Sequence, residues 1–153
     1  MTQTRDWSSA STGSTVFDFN GDGAAEIVFA DEDGDGLLDV DEASTTTGPN
    51  GEFTLTRQNA STKVVAISTE ATIDTSTNSQ VVGIKLSAPS GAGVITPITS
   101  LLAADAELSK EKLALSLGMI DPISGQAIDL ENFNPFSPGV DPLLTLTAEK
   151  TAQ

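Results

Sequence analysis

The acidic segment from residue 18 to residue 42 constrains this chain more than any other feature. It holds ten carboxylates, and no lysine or arginine lies between Arg5 and Arg57 to neutralise them. Carboxylates at that density repel one another unless cations sit among them. They are also patterned. Asp18-Phe19-Asn20-Gly21-Asp22-Gly23 is followed by Asp31-Glu32-Asp33-Gly34-Asp35-Gly36, two versions of an alternating acidic run closed by glycine. Oxygen ligands at alternate positions with a glycine turn behind them suit a hard cation, and calcium is the first candidate.

A calcium loop offers roughly six to eight oxygens at about 2.3–2.6 Å, the last two from a distal glutamate. The second copy fills every position of the twelve-residue pattern. Asp31, Asp33 and Asp35 stand at positions 1, 3 and 5, Gly36 makes the turn, and Leu37 presents its carbonyl. Leu38 is the apolar residue expected to tie the loop to the core, Asp39 is the ninth-position ligand, and Glu42 closes the shell. The first copy is shorter. Asp18, Asn20 and Asp22 lead to Gly23, the carbonyl of Ala24 and Glu26, but the place of the distal glutamate is taken by Phe29. It reads as a nine-residue loop of lower charge and weaker affinity. Asp/Gly-rich runs also serve as plain solvated turns; the complete match from Asp31 to Glu42 is what argues for metal. Two calcium sites are expected, and two ions would remove four units from a formal net charge of −15.

Neither loop has the flanking helices of a helix–loop–helix site. Ile27-Val28-Phe29 is short and β-like, and Ala43-Ser44-Thr45-Thr46-Thr47-Gly48-Pro49 cannot continue a helix. The loops therefore connect strands. Extracellular loops of this kind bind calcium at roughly 10⁻⁴ to 10⁻³ M, which suits structural stiffening better than signalling.

Composition removes several functional classes. The net charge leaves no basic patch for nucleic acid or for an anionic membrane surface. No run of apolar residues is long enough to span a bilayer, so no membrane insertion is expected. With no Cys and no His, disulfides, thiol nucleophiles, the usual zinc sites and histidine acid–base chemistry are all absent. Ser109-Lys110-Glu111-Lys112 reads as a helix start rather than a nucleophile–base pair, and the chain is not expected to be an enzyme. The N-terminus does not read as a signal peptide, and a final helix reaches Gln153 without a capping signal. Together these predict an excised piece of a longer chain; if the parent is secreted, its signal lies outside this sequence.

Along the chain, residues 1–14 form a polar lead-in with Trp7 as its one anchor. Residues 15–88 carry short β-like runs: Val16-Phe17, Ile27-Val28-Phe29, Phe53-Thr54-Leu55-Thr56 after a Gly48-Pro49-Asn50-Gly51 turn, Lys63–Ser68 and Gln80–Ser87. In the last run Val82, Ile84 and Leu86 alternate as one buried face should, while Thr69–Ser79 reads as an exposed connection. Past Ala88-Pro89-Ser90-Gly91-Ala92-Gly93 the period turns helical. Thr96 caps a helix with Pro97 at its first position and Ile98, Leu101 and Leu102 following. Ser109 caps a second helix that ends at Gly118, with Leu108 and Leu113 spaced as a hydrophobic staple. Residues 119–140 read as an ordered loop, and a third helix starts at Asp141-Pro142.

The stretch from Val28 to Glu42, with Thr45-Thr46-Thr47 and Asn50-Gly51-Glu52-Phe53-Thr54-Leu55, resembles Cna-B-type (carboxypeptidase-regulatory-like) modules of bacterial surface adhesins. Val94-Ile95-Thr96-Pro97-Ile98-Thr99-Ser100-Leu101-Leu102 resembles a helical extension found after such modules in very large adhesins. Separately, Val16–Gly23 with Glu26-Ile27-Val28 is similar to an FG-GAP or VCBS calcium loop, but one copy cannot build a propeller. It is either a convergent loop or the edge of a neighbouring repeat. The resemblance implies an Ig-like β-sandwich over residues 15–88, mainly β, followed by a small helical part over 89–153. Some Cna-B relatives carry a Lys–Asn cross-link; Lys63 and Lys85 are candidates, but no partner is singled out and none is predicted.

The functional expectation is a calcium-rigidified spacer module of a secreted or cell-surface bacterial adhesin, with calcium and neighbouring adhesin domains as partners. The alternative is a calcium-dependent domain that binds a glycan or protein ligand at the cell surface. Trp7 and six Phe are too few and too dispersed to show an aromatic binding platform.

Overall fold

The computed structural model describes residues 5–6, 15–16, 26–48, 51–57, 59, 61–74, 79–135 and 137–152. Strands come first: β1 (Arg5–Asp6), β2 (Thr15–Val16), β3 (Ile27–Asp31), β4 (Ser44–Thr46), β5 (Thr56–Arg57) and β6 (Lys63–Ile67). Then come β7 (Ile73–Asp74), β8 (Ser79–Gln80), β9 (Lys85–Ala88) and β10 (Val94–Ile95), and after them the helices α1 (Pro97–Ala104), α2 (Lys110–Leu117) and α3 (Pro142–Ala152). The expected order of β-structure followed by helices is what the chain adopts.

The centre is a four-stranded antiparallel sheet in the order β4-β3-β6-β9. β3 and β6 take its middle because Val28, Phe29 and Ala30, and Val64, Val65 and Ala66, are apolar on both faces and are all buried. Register aligns Val28 with Ala66 and Leu86, and Ala30 with Val64 and Ala88. That face is closed by Phe53, Leu55, Ala92 and Ile95. Phe29, opposite Val65, lies on the other face and is wholly buried. Three two-stranded pairs accompany the sheet among the described residues: β1 with β5 and β7 with β8 antiparallel, β2 with β10 parallel.

Several sequence expectations change in detail. Gln80–Ser87 is not one strand. The backbone takes a positive φ of 77° at Gly83, and Ser68 engages the break through Gly83 N–H, Ile84 N–H and the Ile84 carbonyl. Val82 and Ile84 are therefore exposed, and only Leu86 of the expected face is buried. Thr69–Ser79 contains β7, and Thr72 within it is wholly buried. Phe53 and Leu55 alternate inward against exposed Thr54, but the strand β5 begins only at Thr56. The turn after Gly48 closes through Gly51 N–H to the Gly48 carbonyl at 2.9 Å, while Pro49 and Asn50 lie outside the described residues. Trp7 and Phe17 also lie outside them, and Arg5–Asp6 of the lead-in pairs as β1.

The helix starts are as expected. Thr96 caps α1, accepting Thr99 N–H at 3.0 Å while Thr99 Oγ1 accepts Thr96 N–H at 2.8 Å. Ile98 and Leu102 are buried, and Leu101 is half exposed. Ser109 caps α2, which ends on left-handed Gly118 at φ 71°. Leu108 and Leu113 both pack on a second cluster built from Ile98, Leu102, Ala114, Met119, Leu130, Leu144 and Ala148. The described residues between Met119 and Asp141 hold one isolated bridge, Ile120 to Ala127, before α3. No helix among the described residues is long and apolar enough to cross a membrane.

α1 does more than follow the sheet. β9 is an edge strand, and an uncovered edge presents unpaired backbone groups. Ser100 Oγ accepts Ser87 N–H at 2.9 Å, and Thr99 Oγ1 and Ser100 Oγ both donate toward the Ser87 carbonyl at 3.0 and 3.1 Å. The helix thereby substitutes for a fifth strand at that point. Thr99→Val keeps the shape but removes the hydroxyl that serves both the cap and the edge. It is expected to cost about 1–3 kcal/mol in urea unfolding, and a cost near zero would remove this role.

Candidate metal centre

β3 ends on Asp31, a residue only 5% exposed, and the chain then leaves the sheet. Asp31 Oδ1 accepts Gly34 N–H at 2.9 Å and Gly36 N–H at 3.2 Å. Asp33 Oδ1 accepts Asp35 N–H at 3.0 Å, and Asp35 Oδ1 accepts Leu37 N–H at 2.7 Å. Each aspartate thus folds the backbone two to five residues ahead of it, as short carboxylates do in turns. Gly34 and Gly36 supply the left-handed conformations, φ 82° and 71°, that let the chain coil inward.

The coiling brings one carboxylate oxygen each from Asp31, Asp33 and Asp35 to within 4.8 Å of one another. Two oxygens sharing a calcium ion at about 2.3–2.6 Å stand at most roughly 5 Å apart, so three hard anionic donors at this spacing match the demands of that ion. The residues present fit it by donor type and by spacing.

Glu42 is placed differently. Its Oε1 accepts Glu32 N–H at 2.7 Å and its Oε2 accepts Asp39 N–H at 3.1 Å, so the carboxylate clasps the second and ninth residues of the loop. Glu42 and Asp39 stand outside the three-aspartate cluster. The Asp39 carboxyl is held above the usual carboxylate range, first by partial desolvation and then by the charges of Asp35, Asp33, Glu42 and Asp41. Leu37, one residue past Gly36, has an exposed side chain. Leu38 is 40% exposed and does not tie the loop to the core, because the loop projects from the strand end with no flanking helix to fold position 8 inward.

Of the first loop, Asp18, Asn20, Asp22 and Ala24 lie outside the described residues. Glu26 is described, and its carboxylate is buried. Oε2 accepts from Thr47 Oγ1 at 2.6 Å and Oε1 from Thr72 Oγ1 at 3.4 Å. Thr47 Oγ1 also accepts Glu26 N–H at 3.1 Å, so the glutamate joins the start of β3 to the end of β4.

Three contacts of the acidic loop were not legible in the sequence motif. Glu32 Oε2 accepts from Thr62 Oγ1 at 2.8 Å, just ahead of β6. Asp41 joins Glu32, Asp33, Asp39 and Glu42 around an open acidic depression. Lys85 Nζ donates to the Gly36 carbonyl. Lys85 pairs with Ile67, which pairs with Ile27, at the opposite end of the sheet from Asp31. No local spacing could have revealed that meeting, because it depends on how β9 and the loop come together in space.

No family model, curated protein or solved structure was found that matches this chain.

Proposed function

We propose that this chain is a calcium-rigidified structural module, a spacer of a secreted or cell-surface bacterial adhesin. The observation that carries the reading is the convergence of Asp31, Asp33 and Asp35 at the end of a buried strand. The finer architecture in this reading is an Ig-like, Cna-B-like sandwich. It is supported by the central antiparallel sheet and by the placement of the acidic loop between β3 and β4.

The stiffening comes from what the loop touches. It leaves β3, meets the approach to β6 through Thr62, meets β9 through Lys85, and enters β4. A divalent ion held by the three aspartates would offset their repulsion and fix a segment that touches every strand of the sheet. At millimolar extracellular calcium, sites of roughly 10⁻⁴ to 10⁻³ M affinity are filled. Secretion suits this affinity and the absence of cysteine, since the ion supplies a cross-link that disulfides do not.

The alternative, calcium-dependent recognition of a glycan or protein, draws on the open depression lined by Glu32, Asp33, Asp39, Asp41 and Glu42 and on the exposed side chains of Leu37 and Val40 in the same loop. The spacer reading is preferred because the loop carboxylates are turned onto the loop's own backbone and bind it together. Calorimetric titration with calcium is expected to give saturable binding at roughly 10⁻⁴ to 10⁻³ M, with magnesium binding more weakly at the same concentrations. Absence of saturable binding would defeat both readings. A calcium-dependent hit on a glycan array would favour the second.

A further inference from the structure

We propose that Lys85 is a built-in counter-cation of the acidic loop, holding it together when no metal is bound and lowering its affinity for a divalent cation. This inference rests on the proposed calcium role of the loop and adds a means of tuning it.

The loop has no positive charge of its own, since no basic residue lies between Arg5 and Arg57. The charge comes from β9, 49 residues beyond Gly36. The Lys85 ammonium donates to the carbonyl of Gly36, the residue whose own N–H Asp31 Oδ1 accepts at 3.2 Å, so one residue of the loop backbone links the ammonium to a carboxylate of the three-aspartate cluster. Among the described residues the ion pairs at contact distance all involve Lys110, so the proposed effect of Lys85 on the loop is through space and not through a contact pair with one carboxylate. Gly36 has a second role here. A Cβ at that position would stand 3.1 Å from Lys85 Nζ, so glycine permits the approach of the ammonium as well as the backbone turn.

The consequences have opposite signs in the two states. Without metal, one positive charge among clustered carboxylates relieves repulsion. With a divalent ion in the triad, the same charge repels the ion and lowers affinity by several-fold at a solvent-exposed site. A plain structural pin would instead support the metal-bound loop, and its loss would weaken binding.

The test is calcium titration calorimetry on the wild type, K85Q and K85R at low and high sodium chloride, with thermal melts of each in chelator. K85Q is expected to bind calcium about three- to tenfold tighter than wild type at low salt. The gap should narrow as salt rises, and K85R should match wild type. In chelator K85Q should melt below wild type. Unchanged or weaker binding by K85Q, with wild-type binding intact, overturns the counter-cation role and leaves the calcium site standing. A wild type that takes up no calcium removes the site and this proposal with it.

Discussion

Asp31→Asn is expected to weaken calcium binding on the order of 100-fold, given the proposed metal role, while leaving the loop's shape in place. Asparagine keeps one side-chain oxygen for the Gly34 and Gly36 N–H groups that Asp31 Oδ1 now accepts. It removes the negative charge from the one member of the triad that is buried. Charge count and site rigidity set affinity in such loops, so the loss falls on binding rather than on folding. Calorimetry gives the affinity, and a melt in chelator checks the fold. Wild-type affinity in the asparagine variant would show that the ion, if bound, sits elsewhere. Asp31→Ala is a harsher change, because it also strands two backbone N–H groups near the end of β3.

Phe29→Ala should have the largest effect on stability, about 3–5 kcal/mol. Phe29 is wholly buried at the centre of β3, between partners Ser44 and Val65. Its removal leaves a cavity that a sheet pinned on both sides cannot close by local shifts. In a chain of this length the loss corresponds to a melting temperature lower by roughly 10 °C. A shift of a degree or two would mean that the far face of the sheet contributes little. Calcium should still bind the folded fraction, since Phe29 supplies no ligand and Asp31 is two residues on.

The sequence was most readable where chemistry is local. A threonine, a proline and a spaced Leu pair mark the starts of α1 and α2, and the capping geometry at Thr96 and Ser109 follows from those residue types alone. The alternation of Asp31, Asp33 and Asp35 with Gly34 and Gly36 likewise contains its own folding instructions, because each side chain bonds the backbone a few residues on. What stayed hidden depends on distant partners. Val82 and Ile84 carry the pattern of a buried face, but Gly83 breaks the strand onto Ser68, which no periodicity reports. Glu42 has the spacing of a distal ligand, yet its carboxylate clasps Glu32 and Asp39 N–H. Glu26 has the spacing of a ninth-position ligand, and threonines at 47 and 72 receive it. Lys85 belongs to another strand altogether.

The most direct test of calcium stiffening is a thermal melt of the wild-type chain in 10 mM calcium against the same buffer with chelator. At an affinity near 10⁻⁴ M, linkage predicts about 2.7 kcal/mol of added stability, or roughly 5–10 °C in melting temperature, lost again on chelation. An equal concentration of magnesium should give much less of it. Superimposable melts with calcium and with chelator would contradict the account.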